Sequence, residues 1–350
     1  MGGVTRFGVI GAGAIAHIAC RELARVPEAE IVAVADPHPG RARDFADQFR
    51  VERTFGDAAA LLALDEVDAV YIAVPNRWHA PLARAALEAG KHTLLDKPFA
   101  LNGTEAREVV AAAEASRRCF MLGMNQRFSR EVQTARALVA AGALGEVYHV
   151  KAYWRRRAGI PRIGSWFTHR SESGGGSLLD IGVHVLDAAL FALDDFDAVS
   201  VSGATHAKFG VRGLAEIDWG RSEAEDGVFD VEDFAAALVR LGSGTTLSLE
   251  AAWAMHQEVP HTMNVELFGT DAAYSAYESK LYRNGEDGYV TVETPPGGEL
   301  AYPHMSRMQH FMDVIRGREP PAVTHAQALA VQDILDAVYA SAASGTEVTA

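Results

Sequence analysis

Asp180 and His184 stand four positions apart in "SGGGSLLDIGVHVLD", residues 173–187. If that stretch is helical, the two share a face, and a carboxylate and an imidazole project side by side just after a run of glycines. Such a pair can handle protons. An imidazole with an ordinary pKa of about 6.5 accepts a proton at neutral pH, and a carboxylate orients it or binds a neighbouring hydroxyl. The stretch also has a purely structural reading, with Ser177 as N-cap, Asp180 as the N3 acid of a capping box and His184 as a satisfied helix histidine. Lys97 is the third candidate. It follows an apolar strand-like run in "LLDKPF", between Asp96 and Pro98. An ammonium there could hydrogen-bond a substrate hydroxyl and lower the pKa of a neighbouring acid–base group. One Asp and one His fall short of the three protein ligands a catalytic zinc site uses, and no His-Glu-x-x-His or Cys-x-x-Cys spacing adds to them. No metal is expected.

The elements that must position these residues begin with "VTRFGVI", residues 4–10, which reads as a buried strand. "GAGAIAHIACRELARV" follows, helical from about residue 14. Gly11, Gly13 and Ala16 form G-x-G-x-x-A at the turn. The first position permits a tight turn, the second lets the backbone approach a pyrophosphate, and the third allows close helix packing, while the helix N-terminus offers free N–H groups. Gly11, Gly13, Ala14, Ile15 and Ala16 are the expected phosphate-binding residues. Asp36 ends the next strand, "AEIVAVADP", 23 residues after Gly13, where a carboxylate meets the adenosine ribose. A carboxylate accepts from a 2′-OH and repels a 2′-phosphate, so NAD is expected, with NADP as the alternative because Arg41 and Arg43 follow.

Strand and helix patterns go on alternating to "CFMLGMN" near residue 125, which implies a doubly wound parallel sheet. Ligands bind at the carboxyl ends of such strands. "VPNRWH", "DKP" and "NQRF" lie at those ends, so Pro75, Asn76, His79, Asp96, Lys97 and Asn125 are expected to contact the nucleotide, and Arg127 the substrate.

"GVIGAGAIA", "LLDKPFA" and "GGGSLLDIGVHVLD", in that order and spacing, resemble the Gfo/Idh/MocA family, the glucose-fructose oxidoreductase and inositol dehydrogenase group. The resemblance covers essentially the whole chain. It implies an N-terminal Rossmann domain, residues 1–125, and a C-terminal α/β domain, residues 126–350, with a large, mostly antiparallel sheet. It also implies NAD(P)-dependent oxidation or reduction of a sugar, inositol or related polyol. Lys97 matches the lysine of the family's E-K-P motif, and Asp180 and His184 match its D-x-G-x-H pair. The chain departs from the pattern at Asp96, where the family usually has Glu, so a small change in cofactor contact is expected. The resemblance implies that the helix of Asp180 and His184 stands against the nicotinamide site. There His184 would act as general base, Asp180 would assist it and Lys97 would bind the reacting oxygen. It further implies a homodimer or homotetramer. Two rivals remain: a redox-neutral glycoside-processing enzyme with transiently used NAD, and a non-catalytic sensor on the same fold.

In the second half, "GEVYHVKAYWRRR" (145–157) alternates as a strand. The loop that follows carries Arg155, Arg156, Arg157, Arg162 and Arg170 with Trp166 and Phe167. It reads either as a solvated basic loop or as a lid over a sugar, with Tyr153, Arg155 and Trp166 as candidate substrate contacts. The run from Glu216 to Asp233 holds eight acids and one Arg221, and reads as a solvated loop. His256 and His304 carry no firm assignment. Later segments alternate as antiparallel strands, and two helices near 304–317 and 325–343 close the chain.

The totals fit this picture. The chain has 350 residues, 49% hydrophobic and 22% charged, an ordinary globular profile with room for two domains. A net charge of −14 opposes non-specific nucleic-acid binding. No apolar run reaches the roughly 20 residues of a membrane span, and the N-terminus lacks a signal-peptide pattern. Cys20 and Cys119 form no disulfide framework. A cytoplasmic enzyme with no membrane partner is expected.

Overall fold

The computed structural model describes residues 3–220, 226–286, 288–293 and 299–349. The chain forms two compact units, Met1–Met124 with Ser306–Leu329, and Asn125–Met305 with Ala330–Ala350. The first unit is therefore discontinuous. Residues 306–329 join it, so it does not coincide with a division of the chain at residue 125.

The first unit holds a parallel sheet of β1 (Thr5–Ile10), β2 (Ala29–Ala35), β3 (Arg53–Phe55), β4 (Ala69–Ile72), β5 (His92–Leu95) and β6 (Phe120–Leu122). The order is β3-β2-β1-β4-β5-β6, so the strand order reverses between β1 and β4. Helices α1 (Ala14–Leu23), α2 (Pro39–Phe49), α3 (Ala58–Leu62), α4 (His79–Glu88) and α5 (Gly103–Ser116) connect the strands. A parallel sheet covered on both faces has apolar strands throughout, and β4, "AVYI", is buried at every position. β3 is an edge strand of three residues, too short to leave a pattern in the sequence.

Among the described residues, the second unit has nine strands: β7 (Val147–Arg156), β8 (Ala198–His206), β9 (Phe234–Leu241), β10 (Thr246–Ala252), β11 (His261–Gly269), β12 (Ala272–Ser275), β13 (Lys280–Gly285), β14 (Gly288–Glu293) and β15 (Val348–Thr349). Their order is β14-β13-β12-β11-β7-β10-β9-β8-β15. The sheet is antiparallel except for the β7–β10 pair. Helices α6 (Arg130–Ala140), α7 (Arg170–Ser173) and α8 (Val183–Leu193) belong to this unit. Residues 170–193 are apolar and long enough to compare with a membrane span, and 83% of the most apolar stretch is buried in the protein. This is the core helix of the unit. Two later helices, α9 (Arg307–Ile315) and α10 (His325–Ser344), lie close to where the sequence put them. Ser306 caps α9, accepting from the Gln309 N–H at 3.1 Å, and Phe311 packs edge-on against Phe7 of β1.

Candidate active site

At the β1–α1 turn, Gly11 has φ +91°, and a Cβ there would lie 2.1 Å from the Ala73 carbonyl oxygen, so only glycine fits. At Gly13, the N-cap of α1, a Cβ would meet nothing within 4 Å. No side chain caps α1 and no acid lies in its first turn, so its N–H groups remain available to an anion. Ala14 and Ile15 are exposed there, and Ala16 is fully buried. Asp36 accepts from the Ala12 N–H at 2.8 Å and the His38 N–H at 2.9 Å, so it pins the glycine turn from the end of β2. Two carboxylate oxygens offer further lone pairs for a ribose hydroxyl. An open approach over an uncapped helix and a carboxylate at the neighbouring strand end suit a dinucleotide.

Lys97 is half-buried after β5, joined to Pro98 by a cis peptide. Its segment is held on both sides. Asp96, expected to contact the cofactor, is buried and turned into the protein. It accepts from Tyr71 Oη at 2.5 Å, from the Lys97 N–H at 2.8 Å and from Arg307 at 3.2 Å. Burial works to raise the Asp96 pKa, but Arg307, the Tyr71 hydroxyl and Lys97 outweigh it and hold the carboxyl below the usual range. His79, also expected at the nucleotide, is buried as well. Its ring faces the carbonyls of Pro98 and Val74. Both residues therefore fix the backbone around Lys97. Pro75 is half-buried and Asn76 is buried at the end of β4. Asn125 is exposed and opens the second unit.

In the second unit, Asp180 lies in a single π turn, Leu178–Gly182, that feeds α8. Such turns often mark functional sites. The capping box is not formed. Ser177 has helical φ and ψ and no side-chain cap, and its hydroxyl donates to the Ala251 carbonyl at 3.1 Å. The Asp180 carboxylate instead accepts from Trp253 Nε1 at 2.8 Å. Trp253 is fully buried with Ile160, Ile181 and Val231, so the indole is fixed before it fixes the carboxylate. The His184 ring lies 5.6 Å from the Trp154 ring. Trp154 Nε1 is buried and has no hydrogen-bond partner among the described residues.

The glycine run has a role at each position. Gly174 closes α7 at φ +79°. A Cβ on Gly175 would lie 1.9 Å from Tyr339 Oη, and one on Gly176 would lie 1.9 Å from the Glu232 carbonyl oxygen. The space is taken by the Tyr339 hydroxyl and the Glu232 backbone carbonyl, and the Glu232 carboxylate holds the turn beside them. It accepts from the Gly176 N–H at 2.9 Å, the Leu178 N–H at 3.0 Å and Tyr339 Oη at 2.9 Å. Burial pushes its pKa up. Asp233 is buried beside it and accepts from the N–H groups of Lys208, Phe209 and Gly210. Gly182, inside the D-x-G-x-H motif, lets the turn approach Ala251 of β10.

Several expectations change. Arg127 is fully buried and grips Asp187, with Nη2 to Oδ1 at 2.5 Å, so it ties residues 125–128 to α8 instead of meeting substrate. Tyr153 and Arg155 pack together on the opposite face of β7 from Trp154, and Arg155 pairs with Glu250 at 3.3 Å. The residues on the Asp180 side are Trp154 and Arg156. The Arg156 guanidinium lies 5.0 Å over the Trp154 ring and feels the Asp180 charge. Trp166 stacks on Phe167 at 3.8 Å. The basic loop and the acidic run are not independent solvated segments. Arg162 pairs with Glu216, His169 with Asp226, and the Arg170 N–H with Asp230. Arg221, Glu223 and Glu225 lie outside the described residues.

Sequence and fold comparisons identify relatives of this chain. Residues 5–124 match the model of an oxidoreductase family with an NAD-binding Rossmann fold, and residues 132–275 match the GFO/IDH/MocA C-terminal domain. The D-glucoside 3-dehydrogenase of Escherichia coli is 30% identical over 347 residues, covering 98% of this chain and 97% of the relative. A D-xylose 1-dehydrogenase (NADP(+)) of Haloferax volcanii is 28% identical, covering 98% of each chain. A structure of levoglucosan dehydrogenase with NADH and levoglucosan shares the fold, with a TM-score of 0.83, 24% identity and 99% of each chain covered. The chain belongs to the GFO/IDH/MocA family of oxidoreductases, and residues 5–124 are the family's NAD-binding Rossmann domain.

Proposed function

We propose that the protein oxidises a secondary hydroxyl of a sugar or related polyol, with NAD as acceptor. The observation that carries the reading is Asp180, fixed by the Trp253 N–H one helical turn before His184, on a chain with an open dinucleotide turn. The names of the E. coli and H. volcanii relatives support a carbohydrate substrate. When bound, the nicotinamide takes up the hydride. The chain's own residues manage the proton and the charge. His184 accepts the hydroxyl proton. Asp180, with one oxygen committed to Trp253, orients the imidazole or a neighbouring hydroxyl. The Lys97 ammonium donates to the reacting oxygen and stabilises its developing negative charge. Asp36 favours NAD, because a carboxylate repels a 2′-phosphate.

The test is NADH formation by the purified protein over D-glucosides, aldoses, anhydrosugars and inositols, with NADP in parallel. Turnover on one carbohydrate class is expected, falling about 10²- to 10⁴-fold in both His184→Ala and Lys97→Ala. Tight NAD binding with no turnover on any of them overturns the dehydrogenase reading.

A further inference from the structure

Both ring nitrogens of His79 face backbone carbonyl oxygens. Nδ1 lies 2.6 Å from the Pro98 oxygen and Nε2 lies 3.0 Å from the Val74 oxygen, in a residue 1% exposed. A carbonyl only accepts, and a neutral imidazole carries a single N–H. The neutral ring donates to one oxygen and turns a lone pair toward the other, whereas the imidazolium donates to both. Burial opposes the cation most strongly and makes the ring harder to protonate than an ordinary histidine. The two carbonyls and Asp96 favour the cation, and Lys97 opposes it.

The positions of the two oxygens give this chemistry a consequence. Val74 immediately precedes Pro75 and Asn76, and Pro98 immediately follows Lys97. His79, the first residue of α4, therefore spans the two segments assigned above to the nucleotide and to the reacting oxygen.

We propose that His79 is a positioning residue that takes up a second proton to draw the Val74–Asn76 segment toward the Lys97–Pro98 segment, so that its protonation and NAD binding are coupled. The proposal rests on the nucleotide reading, and His79 itself touches neither substrate nor reacting atoms. Coupling is reciprocal: the factor by which protonation tightens NAD binding is the factor by which NAD strengthens His79 as a base. One net hydrogen bond sets that factor at about three- to tenfold.

The experiment uses the full chain, isotope-labelled at the histidine ring nitrogens and titrated by NMR from about pH 7.5 to about pH 5, with and without NAD. NAD dissociation constants are measured over the same range for wild type, His79→Asn and His79→Gln. The expected result is one protonated ring nitrogen at the upper pH and a second taken up as pH falls, with a midpoint below that of an ordinary histidine that NAD moves upward. The wild-type Kd should fall about three- to tenfold as pH falls, relative to both variants. A ring holding one N–H throughout, or a midpoint that NAD leaves in place, overturns the proposal even where the variants fail to fold. Failure of the wild type to bind NAD or NADP overturns the nucleotide reading, and the ligand-free titration then decides the second proton separately.

Discussion

Two glycine-rich turns lead into helices in this chain, one in each unit, and they do opposite things with the absence of side chains. At Gly13 the space a Cβ would take is open, and the helix behind it carries no cap. At Gly175 and Gly176 the same space is filled by Tyr339 and Glu232 of the protein itself. The N–H groups of the second turn are already committed to the Glu232 carboxylate. The first turn is shaped for a ligand. The second is shaped so that a π turn bearing Asp180 leaves it in one orientation. Glycine content alone does not separate the two cases. What surrounds each Cβ position does.

Substitutions break this contrast in a definite order. Gly176→Ala drives a Cβ into the Glu232 backbone oxygen, which cannot rotate away, and should cost about 4 kcal/mol or more, read as a loss of cooperative unfolding or a large fall in Tm. Gly13→Ala should leave stability within about 0.5 kcal/mol, yet weaken NAD binding about 100-fold by filling the approach to the phosphates. A stable Gly176→Ala, or a Gly13→Ala that binds NAD normally, would erase the distinction. Trp253→Phe removes the N–H that holds Asp180. It should lower kcat about 10- to 100-fold with the KM for NAD unchanged, the loss expected for a hydrogen bond to a charged group.

Glu232→Gln gives the smallest effect, about 1 kcal/mol, and the most informative pH dependence. Burial raises the Glu232 pKa above its value in the unfolded chain, so the folded state holds that proton more tightly. Stability must then fall as pH rises from the ordinary glutamate range through the raised pKa. The wild type should lose ground to Glu232→Gln across that window in denaturant midpoints taken pH by pH. Parallel pH profiles for the two proteins would place the proton elsewhere.

The nucleotide half was legible because its signals are local. A glycine turn, a strand before it, a helix after it and an acid at the next strand end all lie within residues 5–36. The Asp180–His184 pair was legible for the same reason, while its support was not. Trp253 and Glu232 are brought to the turn from 73 and 54 residues away along the chain by β-sheet pairing and a long loop. The acidic run hid Glu232 and Asp233 because charge in a sequence reads as solvent exposure until its partners are known. Tyr153 and Arg155 were chosen out of phase. Val150 and Ala152, both fully buried, share their strand face with Trp154 and Arg156, and that period of two was available in the sequence. Asp96 and His79 lie where the strand-end pattern puts them, and their side chains are committed to protein partners, because a strand-end position does not say which way a side chain turns.

The discontinuity of the first unit has a consequence for the time course of synthesis. Asp96 is translated early, but the buried guanidinium that neutralises it belongs to Arg307, 183 residues beyond Met124. At about 5–20 residues per second that residue is made roughly 10 to 40 s after the last strand of the parallel sheet. Until then the segment bearing Lys97 is anchored by a carboxylate without its cation. The nascent sheet can gather its strands on the ribosome, but the site it carries matures only when Arg307 has been added.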